Sequence, residues 1–170
     1  IVNDNVLIVN RAGSLTMGQV ISGTGTFTKS GTGTLTLSGT NTYTGQTNVD
    51  GGTLLVTGSI GSSSLVAVWS GARFGGTGAV GAFNVASGGI FVPGTSIGTL
   101  ASGNVTMTGG SIFEVEVNDA GQSDKLVVTG AVTLGGATLN VLETGAFAGI
   151  NPFDFIIIDN DGADAISGTF

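Results

Sequence analysis

Residues 23–56 constrain the fold of this chain more than any other stretch, because glycines recur every few residues and threonine-rich segments lie between them. In Thr34–Leu37 threonines and leucines alternate, which is the period-two pattern of a strand with one buried face. Residues 26–29 and 41–44 repeat this alternation with an aromatic residue. No helical periodicity interrupts them. The stretch therefore predicts short strands joined by tight turns.

A second regularity is a glycine, usually doubled, that is followed directly by an apolar strand. The motif starts at Gly52, Gly71, Gly89, Gly110 and Gly136, with uneven steps between successive starts. An inexact period of roughly 20 residues is typical of repeat proteins, in which each unit is too small to bury its apolar face alone. The spacing therefore predicts a stack of similar units.

The spacing also selects among repeat architectures. Leucine-rich repeats need an L-x-x-L-x-L frame and a helical segment, and propeller blades use about 40 residues with aromatic marks. The sequence follows neither pattern. In a parallel β-helix, inward side chains stack on their equivalents about 4.8 Å along the axis. The predicted fold is therefore all-β, a parallel β-helix, with Leu35, Leu37 and Leu54 inside.

The pattern changes after Gly109. Residues 111–117 form a longer alternating strand, residues 118–124 a polar turn and residues 125–128 a returning strand, which predicts a β-hairpin. Residues 153–158 are the most apolar predicted strand, and the turn at 159–162 follows them.

Such hairpins would cover the open end of a solenoid, which exposes unpaired backbone groups and core. We therefore expect one domain, residues 1–170, that consists of coils at 1–108 and a C-terminal β-hairpin cap at 109–170.

Charge and composition exclude several classes of function. The formal net charge is -7, and the four basic residues are scattered. A basic patch that would meet phosphates is therefore not expected, and neither is nucleic-acid binding. No apolar run approaches the roughly 20 residues of a membrane helix. The chain begins at Ile1 without an initiator methionine or signal peptide, so we expect a piece of a longer protein.

Reactive side chains are scarce. The sequence contains no histidine and no cysteine, which removes Ser-His-Asp and Cys-His triads and makes a zinc site improbable. The glycine-rich residues 31–36 lack the G-K-[ST] ending of a phosphate-binding loop. We therefore expect no catalytic residue, no cofactor, no metal site and no small-molecule substrate.

Three features are considered as exceptions. Glu114 and Glu116 lie two apart on a strand and share a face, as paired glycosidase carboxylates can, but their alternation with apolar residues predicts a solvated face. Residues 159–164 hold three aspartates, and their spacing fits an Asx turn better than a calcium loop. Trp69 is either an exposed ligand-stacking aromatic or a core residue, and we expect the core.

Residues 23–56 resemble the passenger-associated transport repeat of bacterial autotransporters. The matching positions are Gly23, Gly25, Lys29, Gly31, Gly33, Leu35, Leu37, Gly39, Asn41, Tyr43, Gly45, Thr47, Val49, Gly52 and Leu54. Residues 75–100 are similar to the segment that follows such repeats, and residues 114–130 resemble the start of the C-terminal autochaperone region.

The resemblance implies a right-handed parallel β-helix that is exported through the periplasm and across the outer membrane by the β-barrel of its own polypeptide. It also implies that residues 109–170 fold first and template the other coils, and that an N-terminal effector is displayed or released at the cell surface. Two other functions stay open: an adhesin that binds host glycans or matrix protein, and a polysaccharide-cleaving β-helix.

Overall fold

The computed structural model describes residues 1–145 and 154–170, and every regular element within these ranges is a β-strand. The strands are β1 (Val6–Asn10), β2 (Leu15–Met17), β3 (Thr26–Ser30), β4 (Thr34–Leu37), β5 (Thr47–Val49), β6 (Gly52–Val56), β7 (Ser59–Ile60), β8 (Val66–Val68), β9 (Ala72–Gly76), β10 (Ala79–Val80), β11 (Phe83–Val85), β12 (Ile90–Pro93), β13 (Thr99–Ser102), β14 (Val105–Met107), β15 (Ile112–Asn118), β16 (Lys125–Val128), β17 (Val132–Thr133), β18 (Thr138–Thr144), β19 (Ile158–Asn160) and β20 (Ile166–Ser167). No helix in the described ranges is long and apolar enough to cross a membrane.

The strands form three sheets. Sheet A has the order β1-β3-β5-β8-β11-β14-β17-β20, sheet B the order β18-β15-β12-β9-β6-β4-β2, and sheet C the order β19-β16-β13-β10-β7. The ladders between neighbouring strands are parallel, as between β3 and β5 or β9 and β12. From β5 onward the chain visits sheets A, B and C in turn, so each circuit is one coil. The predicted all-β parallel β-helix is confirmed.

The register shows that coil length varies along the solenoid. Val6 lies opposite Thr26, whereas Val66 lies opposite Phe83, so the second of these coils is shorter than the first. Val105 lies opposite Val132, and this coil is longer than both. The glycine motif of the sequence is uneven for the same reason, because each of its glycines lies at the corner that leads into sheet B.

The core is a set of ladders of equivalent side chains on successive coils. In sheet B one ladder consists of Leu15, Leu35, Leu54, Phe74, Phe91, Phe113 and Leu139. The ring centroids of Phe91 and Phe113 lie 5.3 Å apart, within the favourable range for aromatic pairs. Leu35, Leu37 and Leu54 are buried as predicted.

The prediction of a β-hairpin after Gly109 is wrong, because its two strands do not form a ladder with each other. β15 and β16 belong to different sheets, and their antiparallel contact consists of the Val117–Ser123 bridge and the bonds around the turn. β15 instead pairs in parallel with β12 and β18, and β16 pairs with β13 and β19. Because each strand pairs with the coil before it and the coil after it, the backbone groups on both of its edges are hydrogen-bonded. A two-stranded hairpin would pair only one edge of each strand. Residues 118–124 form a corner.

The C-terminal part continues the same stack. β14 pairs with both β11 and β17, so the ladders run through residue 108 without a break. The division at that residue therefore stays a prediction. Of the apolar strand predicted at 153–158, only Ile158 lies in a strand, and Phe153 lies outside the described residues.

Candidate functional site

Glycines at the corners of residues 27–56 let neighbouring coils approach closely. A Cβ atom on Gly45 would lie closer than 3.0 Å to the carbonyl oxygen of Gly25 on the preceding coil, which real Cβ atoms essentially never do. Gly52 has a φ of 61°, in the left-handed region that glycine adopts without strain. These glycines therefore allow the coils to approach closely and the backbone to turn at the corners.

Lys29 is an inward-facing lysine, although the sequence suggested only a scattered cation. It lies between Val9 and Val49 in a core ladder and is 1% exposed. Its Nζ donates to the carbonyl oxygens of Ser30 at 3.0 Å, Gly31 at 2.9 Å and Gly51 at 2.9 Å. Burial lowers the pKa of this amine. All three ammonium donors are thus used to join two coils at a corner.

Asn41 joins coils in a similar way. Its side chain is 2% exposed, and its Oδ1 accepts a hydrogen bond from the backbone N–H of Ile21 at 2.9 Å. Its Nδ2 donates to the carbonyl oxygens of Gly39 at 3.0 Å and Ser59 at 3.1 Å. One amide therefore connects the coil before it to the coil after it.

A chain of buried hydroxyl groups follows Asn41. The Tyr43 hydroxyl lies 2.7 Å from Thr47 Oγ1, which lies 2.9 Å from Ser63 Oγ. Ser63 donates onward to the carbonyl oxygen of Gly45 at 2.9 Å. Burial raises the pKa of Tyr43 to about 12, so its hydroxyl stays protonated at physiological pH. The chain satisfies the polar groups that these side chains bring into the core.

A crevice of about 210 Å³ opens on the outer side of sheet B, with Asp124 at its wall. Asp124 is 1% exposed, and its carboxylate accepts hydrogen bonds from the backbone N–H groups of Gly98 and Glu116, both at 2.9 Å. Burial raises the pKa of Asp124 to about 6, and the charges of Glu116 and Glu114 raise it further, while the two backbone bonds oppose the shift. The carboxylate fastens the loop before β13 to β15.

This pKa gives a pH dependence that can be measured. Because the folded-state pKa lies above the ordinary value of 3.8, the folded chain holds more protons than the unfolded chain between about pH 4 and 6, and stability falls as pH rises through that window. We expect the free energy of unfolding of Asp124→Asn, relative to that of the original chain, to increase by about 1–2 kcal/mol between pH 4 and 6. Urea unfolding at several pH values measures this difference, and a constant difference from pH 4 to 7 would contradict it.

Glu114 and Glu116 do share the outward face of β15, as predicted. The Glu114 side chain is only 12% exposed, however, and forms an ion pair with Arg73 from two coils away. Asn140 Nδ2, on the coil after Glu114, donates to its Oε2 at 2.9 Å. Sequence reasoning missed this cluster because Arg73 and Glu114 lie 41 positions apart. Stacking of the coils brings them together.

Residues 159–164 form the expected Asx turn. Asp161 Oδ1 accepts the backbone N–H of Ala163 at 2.9 Å, and Asn160 Nδ2 donates to the carbonyl oxygen of Asp164 at 2.7 Å. Asp159 lies 3.6 Å from Lys125 Nζ on the preceding coil. These contacts tie the turn to itself and to β16.

The core placement expected for Trp69 is wrong, because its side chain is 49% exposed. Val66 and Val68 of β8 point into the core, so the alternation of the strand continues and directs Trp69 outward. The indole borders a groove of about 260 Å³ on the outer face of sheet A. The position of Trp69 in the alternation of the strand, rather than the size of its side chain, therefore directs it outward.

Two comparisons with known proteins match parts of the chain. The family described as passenger-associated-transport-repeat matches residues 27–56. The chain is similar to an extracellular serine protease of Serratia marcescens, with 43% identity over 124 residues, which is 72% of this chain and 12% of that protease. The chain thus spans a small part of the length of this relative.

Several residues within the matched range join neighbouring coils. Lys29, Asn41 and Gly45 all lie within the matched range, and each acts at a contact between neighbouring coils. The similarity to the protease covers a small part of that protein. Residues 27–56 are therefore a passenger-associated transport repeat of the autotransporter type, built into a parallel β-helix.

Proposed function

We propose that this chain is a non-enzymatic structural segment of an autotransporter passenger, which nucleates folding of the β-helix and aids its translocation across the outer membrane. The observation that carries the proposal is that the buried polar residues of the transport repeat are used between coils. Lys29 and Asn41 donate to backbone carbonyls on an adjacent coil. A repeat built in this way serves the growth of a stack.

Growth of the stack supports export for a physical reason. Within residues 1–145 and 154–170 each coil pairs only with its neighbours, so a finished coil presents a row of N–H and C=O groups to the next segment of chain. A segment that emerges from a translocator can add to this edge as it arrives, and its pairing disfavours return. The free energy of folding then favours movement outward.

The C-terminal section, residues 109–170, is the part that we propose to fold first. β15 and β18 pair along their whole length, from Ile112–Thr138 to Asn118–Thr144, which makes the longest ladder among the described strands. Phe113 stacks between Phe91 at 5.3 Å and Phe170 at 5.7 Å. This section acts with the β-barrel translocator of its own polypeptide, and the effector that is displayed or released lies N-terminal to it, at the cell surface.

Surface display tests the proposal. The chain is placed between an N-terminal reporter and an outer-membrane β-barrel translocator, and surface reporter is measured at equal total expression. We expect Asn41→Ala and Phe113→Ala to lower surface reporter several-fold, because both weaken coil stacking. Asn48→Ala, an outward-facing change on the same coil as Asn41, serves as the matched control and leaves display unchanged. Equal display by all of these variants would contradict a role of folding in export.

A second function, adhesion to host molecules, is favoured by one observation, the exposed side chain of Trp69.

A further inference from the structure

We infer that the groove beside Trp69 is a binding site for an uncharged oligosaccharide. The inference goes beyond the proposed role in folding and export, and it gives the adhesive alternative a definite site and ligand class.

The groove is formed by outward positions of sheet A on successive coils. Ala67 lies opposite Asn48 on one side and Asn84 on the other, and Asn84 lies opposite Thr106. Leu65 and Trp69, the outward residues on either side of Ala67, are large, whereas Ala67 itself is small. A trough is thus left between two walls, with the indole exposed along one of them.

Polar groups line this trough and are available to a ligand. Within the described residues, the side chains of Asn84 and Thr106 make no hydrogen bond to the protein. Gln46 Nε2 donates to Asn48 Oδ1 at 2.8 Å, so Gln46 Oε1 and Asn48 Nδ2 are not used in that bond. Amides and hydroxyls supply both donors and acceptors. The groove therefore offers an apolar floor with mixed hydrogen-bonding partners on its sides.

Charge selects the class of ligand. The residues that line the groove are all uncharged, although the chain carries 11 acidic residues and a net charge of -7. An anionic ligand would find no cation here and would be repelled by the surrounding field, and a cation would find no carboxylate within the groove. A pyranose ring matches the site, because its C–H face stacks on an indole while its hydroxyls reach amide and threonine side chains.

Repetition along the coils favours several linked sugars over one. Asn48, Ala67, Asn84 and Thr106 form a row on four adjacent coils, with the spacing of neighbouring strands between successive positions. An extended oligosaccharide that follows the solenoid axis would meet an amide or hydroxyl on either side of the indole.

Intrinsic fluorescence tests the inference cleanly, because the chain contains one tryptophan. The full chain is titrated with cellohexaose, maltohexaose, xylohexaose and mannohexaose, and with hexagalacturonate as the acidic counterpart, up to about 10 mM. We expect at least one neutral oligosaccharide to cause a saturable change in emission and hexagalacturonate to cause none. Asn84→Ala should weaken binding while keeping the fluorophore, and Thr36→Ala, outward on β4 in sheet B and away from the groove, should leave binding unchanged.

Calorimetric titration of Trp69→Ala completes the test. We expect about a ten-fold loss of affinity, with circular dichroism and the unfolding midpoint unchanged because the side chain is exposed. Equal affinity of Trp69→Ala and the original chain would overturn the inference. The inference is also overturned if no neutral sugar causes a saturable change, or if only hexagalacturonate binds. An emission shift that depends on protein concentration would overturn it as well, because it would indicate that a second copy of the chain occupies the groove. None of these outcomes depends on export, so the two proposals fail separately.

Discussion

Replacing Phe113 with alanine lowers the free energy of unfolding by about 3–5 kcal/mol, the range for removal of a fully buried aromatic side chain. Phe113 is fully buried and stacks between the rings of Phe91 and Phe170. Its ladder neighbour on the following coil is Leu139. The ladder strands are fixed by their backbone pairing, so the coils cannot close over the space that alanine leaves. Urea unfolding followed by circular dichroism measures the change.

Phe170→Ala is the matched control for this prediction. Phe170 contacts the same ring but is 40% exposed at the end of the aromatic stack, so its removal leaves no closed cavity. We expect a loss of about 1 kcal/mol or less. If Phe113→Ala lowers the free energy of unfolding no more than Phe170→Ala does, the core ladder is not a main source of stability.

Replacing Asn41 with alanine is expected to cost about 2–4 kcal/mol. The change leaves the N–H of Ile21 and the carbonyls of Gly39 and Ser59 without their side-chain partner, and a buried unsatisfied group costs about 1–3 kcal/mol. The Ser59 carbonyl also accepts the backbone N–H of Asn41, and the Gly39 carbonyl also accepts that of Ser59, which keeps the total below the sum of three such costs. The measurement is the urea midpoint of the variant at neutral pH.

Asn48→Ala provides the comparison for Asn41. Asn48 has the same chemistry on the same coil, but it points outward and pairs with Gln46 at 2.8 Å. We expect it to change stability by less than about 0.5 kcal/mol. Equal effects of the two substitutions would mean that Asn41 does not join the coils in the way that its contacts indicate.

The ladders of the fold were predictable from the sequence, because the period-two pattern assigns each strand residue to a face. Leu35, Leu37 and Leu54 follow this rule and are buried. The same rule also assigns Lys29 to the inward face beside Phe27. This placement was not predicted, because a lysine side chain is rarely buried. The corner carbonyls that make its burial tolerable come from Gly31 and Gly51, whose positions depend on the coil geometry.

Side-chain contacts between coils could not be predicted from the sequence. The pairing of Arg73 with Glu114 depends on the length of the coils between them, which the spacing of the glycine motif gives only approximately. The predicted hairpin at 111–128 is wrong for a related reason. A polar turn between two strands is compatible both with a hairpin and with a corner between sheets, and the parallel partners β12 and β18 decide in favour of the corner.

The most direct test of the central claim, that residues 109–170 fold first and template the coils before them, is pulse-labelled hydrogen exchange during refolding from urea. We expect the backbone N–H groups of β15, β16 and β18 to become protected in the earliest phase, and protection then to spread toward β1. Phe113→Ala should delay that first phase, whereas Leu35→Ala should mainly speed unfolding. Earlier protection of β3 and β4, or simultaneous protection of all coils, would contradict the claim.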